Sequence, residues 1–571
     1  MKKLFLVLSI LTFVGGLGAQ GLLLQSFRQQ ATYSIWDDLD YAIDGTDLLE
    51  VEGGRIFTNL SNLSSSTEQL MGNYSDNMFV IGFISPVLPL GLKSAFFWGT
   101  RKNLDPDYLS LDLDGDGWND VYGYGFLSGT WNREWDANGD GSIDFIDFRY
   151  LEEAGEDSYL ESDILVNVAK DMGGGNAFAF TYQKVMDNST WDYSDSTYEQ
   201  TEDVSTGDLT YYWWDTYVGN SIFTMPSSNR FNLAFTIPFW FNPTWDLRGD
   251  LFFNLLNQED SWVERLHYFE DYAPATPVIT DTYLDSTNFN YQDNYSNNEA
   301  GLALRLRNVN PVLSWWVGGR FGMNFGSGDY DSDYSYFYED QYMSAGNVAL
   351  DNYTYSLDNT APISVSGMNI GAFGRIEWQL SSNVRFGIGA LYSSSSLTRE
   401  YDEDYSYTYR YEYDDGDSDP ADWDDYTDII ESGYSGTRTY ENVYDVIQVP
   451  VGIEINVGKN KDWFIRFGAI ATKSNYNVLE IEEVDEARRQ IRTITRGDGT
   501  TTVTYSDVEY ASYKENEYRE YQTVDFAYGL GWKPSDNVGI DLLGMFDITG
   551  TELLSTDWFR SLKISAFILF Q

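Results

Sequence analysis

Between Val446 and Val457 every odd position is aliphatic: Ile447, Val449, Val451, Ile453, Ile455 and Val457. Gln448, Gly452, Glu454 and Asn456 alternate with them. A period of two separates side chains onto opposite faces of an extended strand, so this segment is a β-strand with one apolar and one polar face. The split recurs in Met368–Leu380, where Met368, Ile370, Ala372, Ile376, Trp378 and Leu380 oppose Asn369, Arg375, Glu377 and Gln379, and again in Leu562–Phe570. From about Phe231 onward such segments are joined by short and long connections in strict alternation. The short ones include Asn242-Pro243, Asn308-Val309-Asn310, Ser381-Ser382-Asn383, Gly458-Lys459-Asn460-Lys461 and Pro534-Ser535-Asp536-Asn537. The long ones fall near 256–299, 325–367, 394–444, 472–522 and 547–558.

A single-layer wall with an apolar and a polar face, and unequal connections at its two ends, is the pattern of a transmembrane antiparallel up-and-down β-barrel, with short periplasmic turns and long extracellular loops. Candidate strands begin near Arg55, Met78, Leu92, Asp163, Asn176, Phe231, Thr244, Ala300, Val312, Met368, Val384, Val446, Trp463, Val524, Val538 and Leu562. That makes about sixteen, within roughly fourteen to eighteen once boundary error is allowed. An even count returns the last strand to the periplasmic side, in agreement with the turn lengths. Pro450 cannot donate to the ladder, which predicts a bulge there. Trp240, Trp245, Trp378, Trp463 and Trp532 flank the short turns as an aromatic girdle would.

The stretch 1–19 reads as a signal peptide: Met1-Lys2-Lys3, an apolar run from Leu4 to Val14, and small side chains up to Ala19. No later segment carries an apolar run long enough for a spanning helix. The domain reading is therefore 1–19 signal peptide, 20–53 periplasmic N-terminal segment or plug, and 54–571 barrel, with 101–161 a loop insert. The closing Ser565-Ala566-Phe567-Ile568-Leu569-Phe570-Gln571 resembles the C-terminal strand of bacterial outer-membrane proteins, with Gln571 departing from an aromatic end. The resemblance implies the outer membrane of a Gram-negative-type bacterium, with membrane lipid and lipopolysaccharide as surroundings.

The net charge of −54 repels nucleic acid. Aromatics form 17% of the chain, which argues for a folded scaffold beneath the acid, because disordered chains are poor in them. Cysteine is absent, so no disulfide framework holds the fold.

Within 101–161, Asp136-Ala137-Asn138-Gly139-Asp140-Gly141-Ser142-Ile143-Asp144-Phe145-Ile146-Asp147 places oxygen ligands at positions one, three, five, nine and twelve, with glycine at six. It resembles EF-hand loops of the dockerin type, which implies structural Ca2+ held by Asp136, Asn138, Asp140, Ser142, Asp144 and Asp147. Asp147 stands where an EF-hand has glutamate. An earlier run, Asp112-Leu113-Asp114-Gly115-Asp116-Gly117-Trp118-Asn119-Asp120, looks like the short acidic calcium repeats of extracellular proteins, with Asp112, Asp114, Asp116 and Asp120 as ligands. The run from Glu400 to Asp428 interleaves acid with tyrosine and reads as a solvated face, while Gln490–Tyr505 reads as a hairpin turning at Gly497-Asp498-Gly499.

Alternation points Arg230, Arg248, Arg305, Arg307, Arg320, Arg375, Arg385 and Arg466 into the lumen, together with Asp246, Asp250, Glu377, Glu454, Asp525 and Asp541. Opposed charges on facing walls would set a transverse field that selects polar solutes; charges paired with one another would pack the lumen shut. About sixteen strands leave room for an aqueous path. The leading expectation is a porin-like channel for diffusion or selective uptake of small solutes. A structural or adhesive surface barrel and a hydrophobic-compound transporter resembling the long-chain fatty-acid family, with 20–53 as its plug, stand beside it. The lone His267 and the absence of a phosphate-cradling glycine loop single out no enzyme.

Overall fold

The computed structural model describes residue 35, residues 38–61 and most of 78–570; 62–77, 113–118, 138–139, 240–243, 273–280, 415–424, 459–461, 536–537, 548–562 and a few further positions lie outside the described residues. The expected signal peptide and Trp240 are among those outside. A helix α1 (Asp38–Ile43) and a 3-10 turn (Gly45–Glu50) precede the strands. In chain order these are β1 (Gly54–Ser61), β2 (Met78–Ile84), β3 (Leu92–Pro106), β4 (Tyr108–Leu111), β5 (Val121–Tyr124), β6 (Phe126–Trp135) and β7 (Phe145–Gly173). Then come β8 (Asn176–Asp203), β9 (Asp208–Pro238), β10 (Trp245–Tyr272), β11 (Asp281–Ser296), β12 (Asn298–Asn308), β13 (Leu313–Ser344) and β14 (Asn347–Ser381). The last are β15 (Val384–Asp414), β16 (Tyr426–Val457), β17 (Trp463–Arg496), β18 (Thr501–Ser506), β19 (Tyr513–Ser535), β20 (Val538–Asp547) and β21 (Lys563–Phe570).

Each wall strand pairs antiparallel with its neighbours, and β1 pairs with β21, Gly54 opposite Phe570, so the sheet closes on itself. With β11 and β12 counted as one stave broken at Asn297, the described ring has sixteen staves. Closure removes the sheet edges, leaving every wall strand with two hydrogen-bonded neighbours. Leu251, Leu304, Val317, Met368, Ile376, Ile447, Phe467, Leu530 and Ile568 are among the exposed apolar side chains that belt the barrel. Near the short turns Trp463 stacks on Trp532 with ring centroids 5.7 Å apart, and Trp245 meets Trp315 edge-on at 5.1 Å.

Within the expected long loops, most of the described residues from 256 to 522 are strand instead. The longest, β14, runs for 35 residues. At about 3.3 Å per residue such a strand reaches roughly 115 Å. An apolar band about 25 Å tall needs far less. The sequence starts at Asp163, Phe231, Met368, Val446 and Val524 mark where strands enter the apolar belt; the strands themselves begin at Phe145, Asp208, Asn347, Tyr426 and Tyr513. Hydrophobic alternation stops at the belt because the extension beyond it faces water outside and a polar interior inside. Tyr401 is fully buried and Glu403 is 4% exposed, so the Glu400–Asp414 stretch is wall with a buried inner face, not a solvated loop. The Gln490–Tyr505 hairpin is present as β17 against β18, with Thr495 opposite Thr501. Pro450 causes no bulge: the β15–β16 ladder skips the pairs beside it and resumes in the same register, Ile388 to Val451 and Leu391 to Gln448.

Candidate functional site: a lumenal chamber between a segment and a tyrosine cluster

Inside the turn end of the barrel lies the stretch from α1 to Val51. The inner face there sets Ala95, Ala169, Ala179 and Ala234 beside Ile84, Phe97 and Leu165, and against them pack Ala42, Leu48 and Val51. Polar contacts fix the segment in place. Asn167 Nδ2 donates to the carbonyls of Ala42 and Gly45, both at 2.9 Å, Thr46 and Thr236 hydroxyls meet at 2.6 Å, and Lys93 donates to the Val51 carbonyl. Three wall arginines bind its acids: Arg248 meets Asp44 at 2.7 Å, Arg305 meets Asp44 at 2.8 Å and Asp47 at 2.7 Å, and Arg307 meets Glu50 at 3.1 Å while also pairing with the wall's Asp246 at 2.9 Å. Asp47 is 2% exposed, and a carboxylate buried that deeply is stable only with such partners.

Beyond the belt a second cluster fills the lumen. Tyr330, Tyr401 and Tyr440 pack edge to face at 5.8 and 5.6 Å, Arg438 lies 5.2 Å from both the Tyr330 and Tyr401 rings and bridges to Glu403 at 2.7 Å, and Tyr401 donates to Asp293 at 3.0 Å. Arg399 reaches Asp293 at 3.8 Å, joining β15 to β11 across the interior. Burial next to Asp293 pushes the Asp260 carboxyl up to about 7 against the pull of Arg399, because a desolvated carboxylate resists ionisation.

Between the two lies a chamber of about 640 Å³. Six arginines line it, Arg230, Arg248, Arg305, Arg320, Arg375 and Arg399, against three carboxylates, Asp44, Asp250 and Glu299. Arg375 stacks on Trp316 at 3.6 Å and Arg320 on Phe252 at 4.2 Å.

The opposed charges expected on facing walls sit side by side. Arg375 bonds Glu377; Glu377 binds Arg385 at 2.8 Å; Arg385 lies 4.0 Å from Glu454; and Arg466 joins Glu454 at 2.8 Å to Asp541. Arg385 and Glu454, and Glu454 and Arg466, are cross-strand partners, so register itself pairs them. Asp525 is half-buried on the inner side beside exposed Val524. Alternation could not reveal Asp44 and Asp47, which lie in the N-terminal segment and for which a carboxylate at every third position, Asp44, Asp47 and Glu50, is the one available signal; Gln183, Asn254 and Glu299 on the chamber wall follow the inner-face alternation of their strands but are missing from the expected lumenal set.

At the outer end, Asp136 Oδ2 accepts the Gly141 amide at 2.6 Å, Asp140 Oδ1 accepts the Ser142 amide at 2.8 Å, and Gly141 takes φ +89°. Both hydrogen bonds are local turn contacts of exposed carboxyls. Asp144 accepts the Ala137 amide at 2.9 Å, while Asp147 lies in β7 and accepts from the Thr201 hydroxyl at 2.8 Å, away from the loop. Asp112 and Asp120 close the base of the β4–β5 hairpin, the Asp120 amide donating to the Leu111 carbonyl at 2.7 Å. Asp114, Asp116 and Asn138 lie outside the described residues, and among the described residues no group of three or more acids, histidines or cysteines gathers as a metal centre.

A closed antiparallel barrel belted with apolar side chains, turned tightly at one rim and carried far into water at the other, defines an outer-membrane β-barrel of the Gram-negative type. No protein-family model and no curated protein matches the chain. Among solved structures it is similar to a Pseudomonas aeruginosa FadL homologue, at 8% identity and TM-score 0.23 over 96% of this chain and 98% of that one. It is also similar to the copper transporter OprC, at 8% identity and TM-score 0.24 over 91% and 80%. A third similarity is to the pyoverdine receptor FpvA of P. aeruginosa PAO1, at 10% identity and TM-score 0.21 over 91% and 79%.

Proposed function

We propose that this barrel carries small polar solutes across the outer membrane selectively, by way of the chamber, and is not an open diffusion pore. The observation behind this reading is the position of an arginine-lined chamber between two buried clusters in the lumen, the Asp44–Asp47 segment toward the periplasm and the Tyr401–Arg399 cluster toward the outside. In this reading the two clusters restrict the lumen, and passage requires one of them to move. The segment is the better candidate, because it is held by a few ion pairs and short hydrogen bonds and belongs to no strand, whereas the tyrosines are part of the wall. Calcium bound by Asp136 and Asp140 would order the tall rim and is proposed as structural only.

The test is reconstitution of the full chain into planar bilayers and swelling proteoliposomes. Low basal conductance in the wild type, together with stepwise conductance in an Arg248→Ala/Arg305→Ala variant, supports the reading. A large, permanently open conductance in the wild type would overturn that restriction, and proteoliposomes impermeable to every solute would favour a barrel that serves only to display its surface.

A further inference from the structure

Arg230 and Gln183 stand opposite each other on adjacent strands, β9 and β8, both on the inner face and both lining the chamber. Gln183 is 4% exposed, and its Nε2 has no acceptor; the Nε of Arg230 is equally inaccessible and equally without one. No hydrogen bond or ion pair closes on the Arg230 guanidinium from any described residue. Buried donors in this condition are costly, since each forfeits its hydration without replacement. A pair of them directly across a ladder, on two residues that line the cavity, is a donor set for an acceptor that reaches this wall.

The chamber's own carboxylates do not meet that need, because they are already engaged. Asp250 accepts from Arg248 at 2.6 Å and from Asn232 at 3.0 Å. Glu299 accepts from Arg320 at 2.7 Å, Asn254 at 2.6 Å and Asn369 at 2.9 Å. Asp44 is held by Arg248 and Arg305. Asp163, on β7 two positions before Leu165, the partner of Gln183, acts on Arg230 through space, as does Glu299, while Arg320 repels it. Arginines therefore outnumber acids on the chamber wall, and on Arg230 and Gln183 N–H groups lack acceptors.

We infer that the Arg230–Gln183 pair is a binding site for a small organic or inorganic anion, a carboxylate or phosphate group that the guanidinium grips and the amide supports. The planar fork of arginine matches both groups in two parallel hydrogen bonds. The Phe252 ring and Leu165 on the same wall give an apolar flank for the rest of an organic acid, and about 640 Å³ accommodates one. This inference rests on the proposed transport role only for its physiological meaning; the binding site itself stands or falls separately.

The experiment is calorimetric titration of the detergent-purified full chain with benzoate, inorganic phosphate and the neutral benzamide, repeated on Arg230→Gln and Arg230→Lys. Benzoate binding favours an organic acid as ligand and phosphate binding an inorganic or phosphorylated one. Under the proposal at least one anion binds, benzamide does not, Arg230→Gln weakens the anion by about ten-fold or more, and Arg230→Lys restores part of it. Retained heat-modifiable gel migration and far-ultraviolet circular dichroism establish that the variants fold. Equal binding of benzoate and benzamide, undiminished binding in Arg230→Gln, or no anion binding to the folded wild type would each overturn the site. Proteoliposome uptake separates the two readings: uptake indifferent to charge and to Arg230 leaves transport and removes the site, whereas Arg230-dependent binding without uptake leaves the site and removes transport.

Discussion

Arg305 holds Asp47 at 2.7 Å across 258 residues of sequence, one from the barrel wall and the other from a segment that precedes every strand. Both side chains are almost fully buried, at 7% and 2% exposure. Removing one member of a buried pair leaves the other uncompensated, at a cost of about 3–5 kcal/mol. In Asp47→Ala, Arg305 keeps Asp44, and Arg307 keeps Glu50 and Asp246, so the loss falls at the low end of that range. The barrel stays folded while the segment around residues 38–51 becomes accessible to protease. Limited proteolysis from the periplasmic face reads this out, and unchanged cleavage would show that the apolar packing of Leu48 and Val51 alone retains the segment.

Asp260 makes the outer extension sensitive to pH. It lies past Phe253, the last exposed apolar side chain of β10, and burial raises its carboxyl from an ordinary 3.8 to about 7. The folded state thus holds a proton that the unfolded state releases at lower pH. Below about 4 the group is neutral in both states and costs nothing; between about 4 and 7 the stability of the extension falls as pH rises, and above about 7 the full penalty of a few kcal/mol applies. Thermal unfolding followed by tyrosine fluorescence is expected to show that decline, and Asp260→Asn to flatten it.

The Tyr401 hydroxyl donates to Asp293 at 3.0 Å in a fully buried setting. Tyr401→Phe keeps the ring contacts with Tyr330 and Tyr440 but removes a donor from Asp293, which costs about 1–3 kcal/mol. Hydrogen exchange is expected to rise in β11, β15 and β16 and to stay unchanged near the short turns. Uniform change over the barrel would mean that the extension and the belt unfold as one unit.

If calcium orders the outer rim, chelation of the full chain will raise proteolysis between about residues 108 and 144, and calcium will reverse it. In Asp136→Ala/Asp140→Ala that protection disappears, while Asp147→Ala, whose carboxyl is engaged by Thr201, leaves it intact. A calcium response unaltered by the double substitution rules out this loop.

The barrel was legible because its signal is local. Ile447 to Val457 declares its lipid face by spacing alone, the short turns declare one rim, and the expected strand starts correspond to the sixteen staves that the described ring contains. The tall extension was not legible, because hydrophobic contrast is the reading frame for a strand and Asp351–Thr360 or Tyr405–Asp414 has little of it. There tyrosine and threonine favour the strand through cross-strand contacts that exist only once register is set. The Tyr355–Tyr407 rings, 5.1 Å apart, are one such contact.

By itself, then, the sequence determined that this chain closes into a belted barrel, since side-chain alternation follows from the geometry of an extended backbone; Arg399, buried beyond the belt and lining the chamber, was not among the arginines it turned inward. Only the tertiary structure decided which charges meet. The Arg385–Glu454–Arg466 ladder depends on strand register, the seat of Asp44 and Asp47 on small alanines from four strands, and the unclaimed donors of Arg230 and Gln183 on the chamber carboxylates already being taken. Such pairings join residues far apart in the chain, and no local pattern in the sequence encodes them.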